Sequence, residues 1–247
     1  MFTKTEIIQG ALLLAGASAL AGCSSSKNDQ DIYFESRSGM LVDLNKCIGC
    51  AACVMACKVE NGTPHGTYWC NIEYKETGQD AFVKRIFKPV SCNHCENAQC
   101  VMVCPAGASR YQTDGTVQVD QDICIGCHNC ITACPYKMRH FNFIEPDKNP
   151  AWRMMSDHIG ESVALTQFEQ AKANGHKYLT AEKCTFCKSR RAEGKMPACV
   201  ETCITGARIF GRLDDPNGEL MQEIERLDAK PMTEENTKTS IYYAGES

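Results

Sequence analysis

Cysteine dominates the potential chemistry of this chain, with 18 of its 247 residues. Residues 124–135 read Cys-Ile-Gly-Cys-His-Asn-Cys-Ile-Thr-Ala-Cys-Pro, so two residues separate each of three cysteines and three more precede a fourth. This spacing lets one short loop wrap three thiolates around one corner of a [4Fe–4S] cube. The fourth cysteine lies too far along the following helical turn to reach that cube, so we expect it to serve a neighbouring cluster.

Three further groups of four cysteines accompany this run. In chain order, quartet I is Cys47, Cys50, Cys53 and Cys57; quartet II is Cys92, Cys95, Cys100 and Cys104; quartet III is Cys124, Cys127, Cys130 and Cys134; and quartet IV is Cys184, Cys187, Cys199 and Cys203. Disulfide frameworks usually occupy short chains with scattered cysteines, and zinc sites use two CxxC-like pairs. The closely spaced triplets repeat the bacterial ferredoxin pattern instead, which favours iron–sulfur clusters over both alternatives.

Two internal repeats pair the quartets. Val42–Cys57 and Val119–Cys134 share Val-Asp, Cys-Ile-Gly-Cys and Ala-Cys at matching positions. The fourth cysteines of quartets II and IV are both followed by a Gly-Ala pair and a strand with arginine and an aromatic residue. Quartet I therefore matches III, and II matches IV. The predicted fold class is α+β, with two interlocked two-[4Fe–4S] ferredoxin units, one from II and III and the other from I and IV, and with short strands, hairpins and peripheral helices.

The segments between the quartets predict the remaining organisation. We expect 39–87, completed by 181–212, to form the first unit, 88–142 to form the second, 143–180 to be an insertion, and 213–247 to be a C-terminal helix and tail. The predicted elements are a strand at Met40–Leu44, a helical turn at Ala51–Val59, a hairpin of Thr67–Lys75 and Phe82–Phe87, a hairpin over Ser109–Val119 around Asp114-Gly115, a helix at Ser162–Asn174, and a helix capped by Asp215-Pro216 with Leu220, Ile224 and Leu227 on one face.

Two features lie outside the quartet pattern. Cys70 belongs to no quartet, and alternation with its strand neighbours predicts a small buried thiol on a face away from the quartets. Basic residues surround quartet IV, and we expect them to form a solvated face, although cations beside a cluster would raise its potential. They are Lys183, Lys188, Arg190, Arg191 and Lys195.

The N-terminus predicts export and lipid attachment. Residues 1–22 combine Lys4 with an apolar stretch, and Leu20-Ala21-Gly22-Cys23 is similar to the bacterial lipoprotein cleavage box. Cys23 is then the lipidation site, 23–38 a polar tether, and the chain a lipoprotein held on the extracytoplasmic membrane surface. An ordinary signal peptide or a buried helix is the alternative. Folded cluster proteins usually need a twin-arginine signal, and no Arg-Arg pair precedes the apolar stretch, so the export route stays open.

Composition excludes two function classes. The net charge is −4, with 26 Lys plus Arg against 30 Asp plus Glu, which argues against a nucleic-acid partner. Outside the N-terminus no apolar run is long enough to span a bilayer, which argues against a multi-pass membrane protein.

The order of the quartets resembles the iron–sulfur subunits of the dimethyl sulfoxide reductase family of molybdopterin oxidoreductases. The resemblance runs from about Met40 to Gly245 and includes Lys58–Asn61, Cys92–Asn97 and Ala198–Cys203. It implies that the first three cysteines of each quartet bind one cluster and that the fourth is exchanged. The implied ligands are Cys47, Cys50, Cys53 and Cys203 for cluster 1; Cys92, Cys95, Cys100 and Cys134 for cluster 2; Cys124, Cys127, Cys130 and Cys104 for cluster 3; and Cys184, Cys187, Cys199 and Cys57 for cluster 4.

The resemblance also implies the function. We expect a non-catalytic subunit that passes single electrons through four [4Fe–4S] clusters, between a molybdopterin catalytic subunit and a quinol- or cytochrome-linked membrane partner. Ile204 stands where family members often have proline, and Cys100 is present where some relatives lack a cysteine and hold a three-iron cluster. The alternative is an independent polyferredoxin carrier, or the electron-transfer subunit of a hydrogenase or formate dehydrogenase. Formate dehydrogenase relatives carry a C-terminal membrane helix, which this sequence lacks.

Overall fold

Short strands and helices alternate with the cysteine-bearing loops. The computed structural model describes residues 34–64, 66–78, 83–143, 175–232 and 236–245. Its strands are β1 Ser38–Asp43, β2 Cys70–Thr77, β3 Lys84–Ser91, β4 Ser109–Tyr111, β5 Val117–Val119, β6 His140–Phe141, β7 Ala181–Glu182, β8 Arg208–Arg212, β9 Lys230–Pro231 and β10 Ile241–Ala244. Its helices are α1 Ala52–Asn61, α2 Gln99–Met102, α3 Asn129–Thr132, α4 Lys188–Ala192, α5 Ala198–Glu201 and α6 Glu219–Arg226. These small sheets and several helices agree with the predicted α+β class.

A four-stranded sheet in the order β8-β1-β10-β9 is the largest sheet in the described residues. The strand predicted at Met40–Leu44 is confirmed as β1, which begins at Ser38 and ends at Asp43. β1 pairs antiparallel with β8, which follows quartet IV, and parallel with β10, which lies in the C-terminal tail. The chain segments next to quartets I and IV are therefore joined through one sheet.

The two faces of β1 contribute to two hydrophobic clusters, because alternate side chains of a strand point to opposite faces. Met40 and Val42 pack into a cluster that includes several quartet cysteines. Leu41 packs into the other cluster, together with Leu220 and Ile224 of α6. The apolar stripe of α6 therefore belongs to the protein core.

α6 begins later than its sequence predicts. The helix starts at Glu219 with Gly218 as its N-cap, whereas the prediction placed the cap at Asp215-Pro216. The carbonyl of Asp215 accepts a hydrogen bond from the Gly218 N–H at 3.0 Å, and its carboxylate accepts another backbone hydrogen bond at 3.1 Å. Asp215 therefore closes a turn before the helix, which is a common alternative use of aspartate.

Both predicted hairpins form. β2 and β3 pair antiparallel, with later starts at Cys70 and Lys84 than the sequence indicated, and residues 79–82 of their turn lie outside the described residues. β4 and β5 pair around Asp114-Gly115, where Gly115 adopts a φ of 72°. This left-handed conformation carries no steric cost for glycine.

The two-stranded sheet of β6 and β7 joins the two ends of the predicted insertion, because His140 pairs with Glu182 and Phe141 with Ala181. The helix predicted at Ser162–Asn174 lies outside the described residues, as do residues 1–33 with the predicted signal and lipidation site. None of the helices in the described ranges is long and apolar enough to cross a membrane.

Candidate metal centres

The cysteine loops contain backbone conformations that allow tight wrapping. Ala51 and His128 occupy equivalent positions of quartets I and III, and both have a left-handed φ, at 59° and 64°. His94 and Phe186 are equivalent in quartets II and IV, with φ of 44° and 50°. Non-glycine residues rarely adopt such values, so their occurrence at matching positions supports the repeat pairing of I with III and II with IV.

Two of the four cysteine sets line apolar cavities. Each cavity combines three cysteines of one quartet with the fourth cysteine of another. The first is lined by Cys92, Cys95, Cys100 and Cys134. The second is lined by Cys104, Cys124, Cys127 and Cys130. The cysteines that line the two cavities are the same as the ligand sets that the resemblance implies for clusters 2 and 3.

The other two sets connect quartets I and IV. Burial raises the pKa of the Cys57 thiol well above its ordinary value, and the neighbouring Cys184, Cys199 and Cys187 raise it further. Cys57 therefore lies among the first three cysteines of quartet IV, although it belongs to quartet I in the chain. The helices that carry Cys57 and Cys199 also meet, because α1 packs against α5.

The complementary exchange involves Cys203. Burial raises the pKa of Cys47, and the neighbouring Cys53 and Cys203 thiols raise it further. Cys203 is thus close to the triplet of quartet I. Cys50, the remaining member of that triplet, is exposed.

The chemistry of these sets fits iron–sulfur ligation. None of the 17 described cysteines forms a disulfide, although they converge in groups. Burial, the largest cause, raises the pKa of Cys95 and of Cys184 to about 12, so both thiols are protonated at neutral pH unless a bound cation draws the proton away. In the described parts of the chain, no three or more His, Cys, Asp or Glu side chains could hold a single metal ion. Thiolates around a cube bind different irons, so they lie farther apart than the ligands of one ion.

Buried polar atoms beside these thiols also lack protein partners. Arg139 Nε, Arg208 Nε and His94 Nε2 are buried without a hydrogen bond. Unsatisfied buried donors are costly, and the sulfurs of a bound cluster would supply acceptors. The residues present therefore fit the implied group.

Cys70 is buried as predicted, at 2% exposure, but its predicted separation from the quartets is wrong. A hydrogen bond with Cys70 is the largest cause that lowers the pKa of Cys53, to about 6. Arg208 Nη2 also donates to the Cys70 sulfur at 3.3 Å. Cys70 is the first residue of β2 and follows the buried Trp69, so the strand face that carries Cys70 points towards quartet I. The alternation identified that face but not the elements packed against it.

Of the basic residues around quartet IV, Lys188 and Lys195 are exposed, as the sequence suggested, whereas the other three are not part of a solvated face. Lys183 is 2% exposed, and its Nζ donates to the carbonyl of Cys184 at 2.7 Å. Arg190 pairs with Glu60 at 3.1 Å, and Arg191 pairs with Asp114 at 2.7 Å. These cations are therefore held at the cluster sites by specific partners.

Electrostatic interactions between neighbouring cysteines and arginines indicate a linear order of the sets. Cys53 neighbours Cys199, so the sets expected for clusters 1 and 4 adjoin. Cys184 neighbours Cys92, so the sets for clusters 4 and 2 adjoin. Arg139 hydrogen-bonds cysteines of the sets for clusters 2 and 3.

An aromatic pair marks the middle of this order. His94 of quartet II stacks on Phe186 of quartet IV, with ring centroids 3.9 Å apart. The cysteine spacing did not reveal this pair, although the two residues occupy the same position, immediately before the second cysteine of matching quartets. The repeat identified Arg208 as part of a strand but not as a neighbour of the cysteines, and Arg139 was not predicted. Each arginine follows the fourth cysteine of a quartet by five residues.

The comparisons with known proteins agree with the geometry. A family model described as a 4Fe–4S dicluster domain matches residues 83–147 and 156–213, and a 4Fe–4S binding domain matches residues 38–59. The chain is 36% identical to the iron–sulfur subunit of the arsenate respiratory reductase of Shewanella sp. strain ANA-3, over 84% of this chain and 95% of that one.

Two further relatives are, by name, subunits of reductases of sulfur compounds. The chain is 35% identical to a tetrathionate reductase subunit of Salmonella typhimurium, over 85% of this chain and 72% of that one. It is 40% identical to the thiosulfate reductase electron transfer subunit of Salmonella typhi, over 71% of this chain and 76% of that one. The chain therefore belongs to the family of iron–sulfur subunits of molybdopterin reductases, which serve electron transfer within a reductase complex and are not its catalytic subunits.

Proposed function

We propose that this chain holds four [4Fe–4S] clusters and relays single electrons between two partner proteins. The proposed ligands are Cys47, Cys50, Cys53 and Cys203 for cluster 1; Cys92, Cys95, Cys100 and Cys134 for cluster 2; Cys124, Cys127, Cys130 and Cys104 for cluster 3; and Cys184, Cys187, Cys199 and Cys57 for cluster 4. The observation that carries the proposal is the location of Cys57 among the cysteines of quartet IV. Such an exchange is what interlocked two-cluster units require, with I and IV in one unit and II and III in the other.

The clusters would be arranged as a wire in the order 1–4–2–3. The neighbouring pairs Cys53 with Cys199 and Cys184 with Cys92 support the first two steps of this order. The contacts of Arg139 with cysteines of quartets II and III support the last step. Each cluster, when bound, supplies one-electron chemistry, and the protein sets the order and the surroundings.

The chain's own residues keep the inner part of the wire dry and charge-balanced. Cys57 and Cys199 are 5% and 8% exposed, so water is excluded from the set proposed for cluster 4. Lys183 lowers the pKa of Cys184 against the larger raising effect of burial, and it acts on Cys100 in the same direction. Its buried ammonium group thus stabilises thiolates of clusters 4 and 2 at the junction of the two units.

The two ends of the wire differ from its middle in exposure. Cys50 of cluster 1 and Cys127 of cluster 3 are exposed. Ile48 and Ile125, in the same loops, are 57% and 68% exposed. Exposed apolar residues beside a terminal cluster are suited to a partner surface that brings its own redox centre close.

The partners proposed at these ends are a molybdopterin catalytic subunit and a quinol- or cytochrome-linked membrane subunit. The relatives named above are subunits of arsenate, tetrathionate and thiosulfate reductases, which supports an anaerobic respiratory reductase complex. Acylation of Cys23 would hold the protein on the extracytoplasmic membrane surface, with 1–22 removed and 23–38 acting as a tether.

Purification of the native complex tests the proposal. A tag on this chain is expected to recover a large molybdenum-containing subunit, and the dithionite-reduced complex is expected to be reoxidised by that subunit's substrate. A monomer that shuttles electrons alone would support an independent polyferredoxin carrier instead. Recovery of a hydrogenase or formate dehydrogenase catalytic subunit would assign the chain to that alternative complex.

A further inference from the structure

Arg208 is a buried cation at the junction of the sets proposed for clusters 1 and 4. It is 4% exposed. Its Nη1 donates to the sulfur of Cys199 at 3.5 Å, and its Nη2 donates to the sulfur of Cys70 at 3.3 Å. Cys70 in turn hydrogen-bonds Cys53 of the cluster 1 set. Arg208 therefore contacts one set directly and the other through a single thiol.

Arg139 occupies the corresponding junction in the other unit. It is also 4% exposed. Its Nη2 donates to the sulfur of Cys100 at 3.0 Å, and it hydrogen-bonds Cys130 as well. Cys100 belongs to the cluster 2 set and Cys130 to the cluster 3 set. One guanidinium therefore contacts ligands of both clusters in this unit.

The two arginines follow quartets of different types, because quartet III matches I and quartet IV matches II. Arg139 follows the fourth cysteine of quartet III by five residues, and Arg208 follows that of quartet IV by the same interval. In quartet II the equivalent position is Ser109, whose Oγ accepts a hydrogen bond from Arg139 Nη1 at 2.7 Å. In quartet I it is Gly62, which has no side chain. Each unit thus contains one arginine, and the residue that could have supplied a second is small.

Cysteines are the main electrostatic partners of both buried arginines in the described part of the chain. The largest attractive charges on each guanidinium come from cysteines, led by Cys100 for Arg139 and by Cys70 for Arg208. The Nε of each is buried without a hydrogen bond to the described protein. Guanidinium stays protonated under all physiological conditions, and an unpaired buried cation is strongly unfavourable. At both positions a bound cluster, with its thiolate ligands, would supply the buried negative charge that a guanidinium needs.

We propose that Arg139 and Arg208 are inter-cluster cations, each of which raises the reduction potentials of both clusters in its own unit. The inference rests on the proposed four-cluster function. A cluster gains one negative charge on reduction, and a fixed cation nearby favours the reduced form. Because each guanidinium lies between two clusters, it acts on both, and the low dielectric of the buried site strengthens the effect.

Redox titration of cluster signals by electron paramagnetic resonance tests the proposal. In Arg208→Gln, the potentials of clusters 1 and 4 are expected to fall and those of 2 and 3 to stay unchanged, whereas Arg139→Gln should give the reverse pattern. Each variant is therefore the matched control of the other, and ligand variants in each quartet assign the signals. Arg110→Gln is a third control, because Arg110 is exposed and pairs with Asp120. It should shift none of the four potentials.

The lysine variants separate charge from folding. Arg139→Lys and Arg208→Lys keep the positive charge, so they serve as charged counterparts where a glutamine variant loses iron. The cluster potentials of the lysine variants are expected to lie closer to those of the wild type than to those of any glutamine variant that binds its clusters. Three results would overturn the proposal. The first is unchanged potentials in glutamine variants at full iron content, and the second is an equal shift in the potentials of all four clusters. The third is a fall in potential in the lysine variants at least as large as in their glutamine counterparts. A wild-type protein without four one-electron transitions would refute the four-cluster function itself, which is a separate result.

Discussion

The sharpest test of ligand exchange compares Cys57→Ser with Cys70→Ser. Both thiols lie in the same hydrophobic cluster, at 5% and 2% exposure, so the two substitutions have similar packing costs. They differ in their proposed role. Cys57 lies among the first three cysteines of quartet IV and is a proposed ligand, whereas Cys70 hydrogen-bonds a ligand without binding iron. A serine hydroxyl can keep the hydrogen bond of Cys70 but is a poor substitute for a cluster thiolate.

The expected loss of iron follows from the stoichiometry of the clusters. Four cubes hold ~16 irons per chain, so the loss of one ligand should remove between ~1 iron, from an open corner, and ~4 irons, from a whole cluster. Cys57→Ser is therefore expected to retain ~12 to ~15 irons, and Cys70→Ser the full ~16. Iron and acid-labile sulfide assays on anaerobically purified protein measure both values.

Spectroscopy then identifies the damaged cluster. Cys57→Ser should alter the same paramagnetic signal as Cys187→Ser, which removes a proposed ligand of cluster 4, and should leave the signal altered by Cys53→Ser intact. The reasoning fails if Cys57→Ser and Cys53→Ser alter one and the same signal, because quartet I would then close on itself. Loss of a cluster in Cys70→Ser would show that Cys70 is a ligand.

Three further predictions concern the rest of the chain. Leu220→Ala should lower the free energy of unfolding by about 2–5 kcal/mol, because Leu220 is 1% exposed in the core beneath α6; chemical denaturation measures this, and a loss below about 1 kcal/mol would contradict the core placement. Gly49→Ala should reduce iron loading far more than Gly107→Ala, because both have a positive φ but only at Gly49 does a new Cβ meet a ring, that of Phe87, at 2.5 Å; equal loading in the two variants would refute this steric account. Mass spectrometry of the native N-terminus should find an acylated Cys23 as first residue, and an unmodified Cys23 inside an intact N-terminal peptide would rule out lipid anchoring.

The parts of the fold that the sequence predicted depend on local patterns. The apolar run of β1 and the Asp-Gly turn between β4 and β5 follow from periodicity and turn chemistry, which act over a few residues. The pairing of quartets also came from local repeats, and the matching left-handed residues Ala51 and His128 agree with it.

The features of the structure that the sequence did not predict depend on tertiary contacts. The burial of Lys183 follows from its position between two cysteine sets, and a charge pattern cannot reveal that. Cys70 was predicted as buried but not as a neighbour of Cys53, because alternation defines a strand face without identifying what covers it. The tail strand β10 aligns parallel to β1 across almost the whole chain, and no local signal predicts such a pairing.

The central claim, four one-electron clusters in one chain, is tested most directly by reductive coulometry of the purified protein combined with metal and sulfide analysis. The account predicts ~4 electrons, ~16 irons and ~16 sulfides per chain, with no zinc. Uptake of ~2 electrons with ~8 irons, or zinc in place of iron, would contradict it.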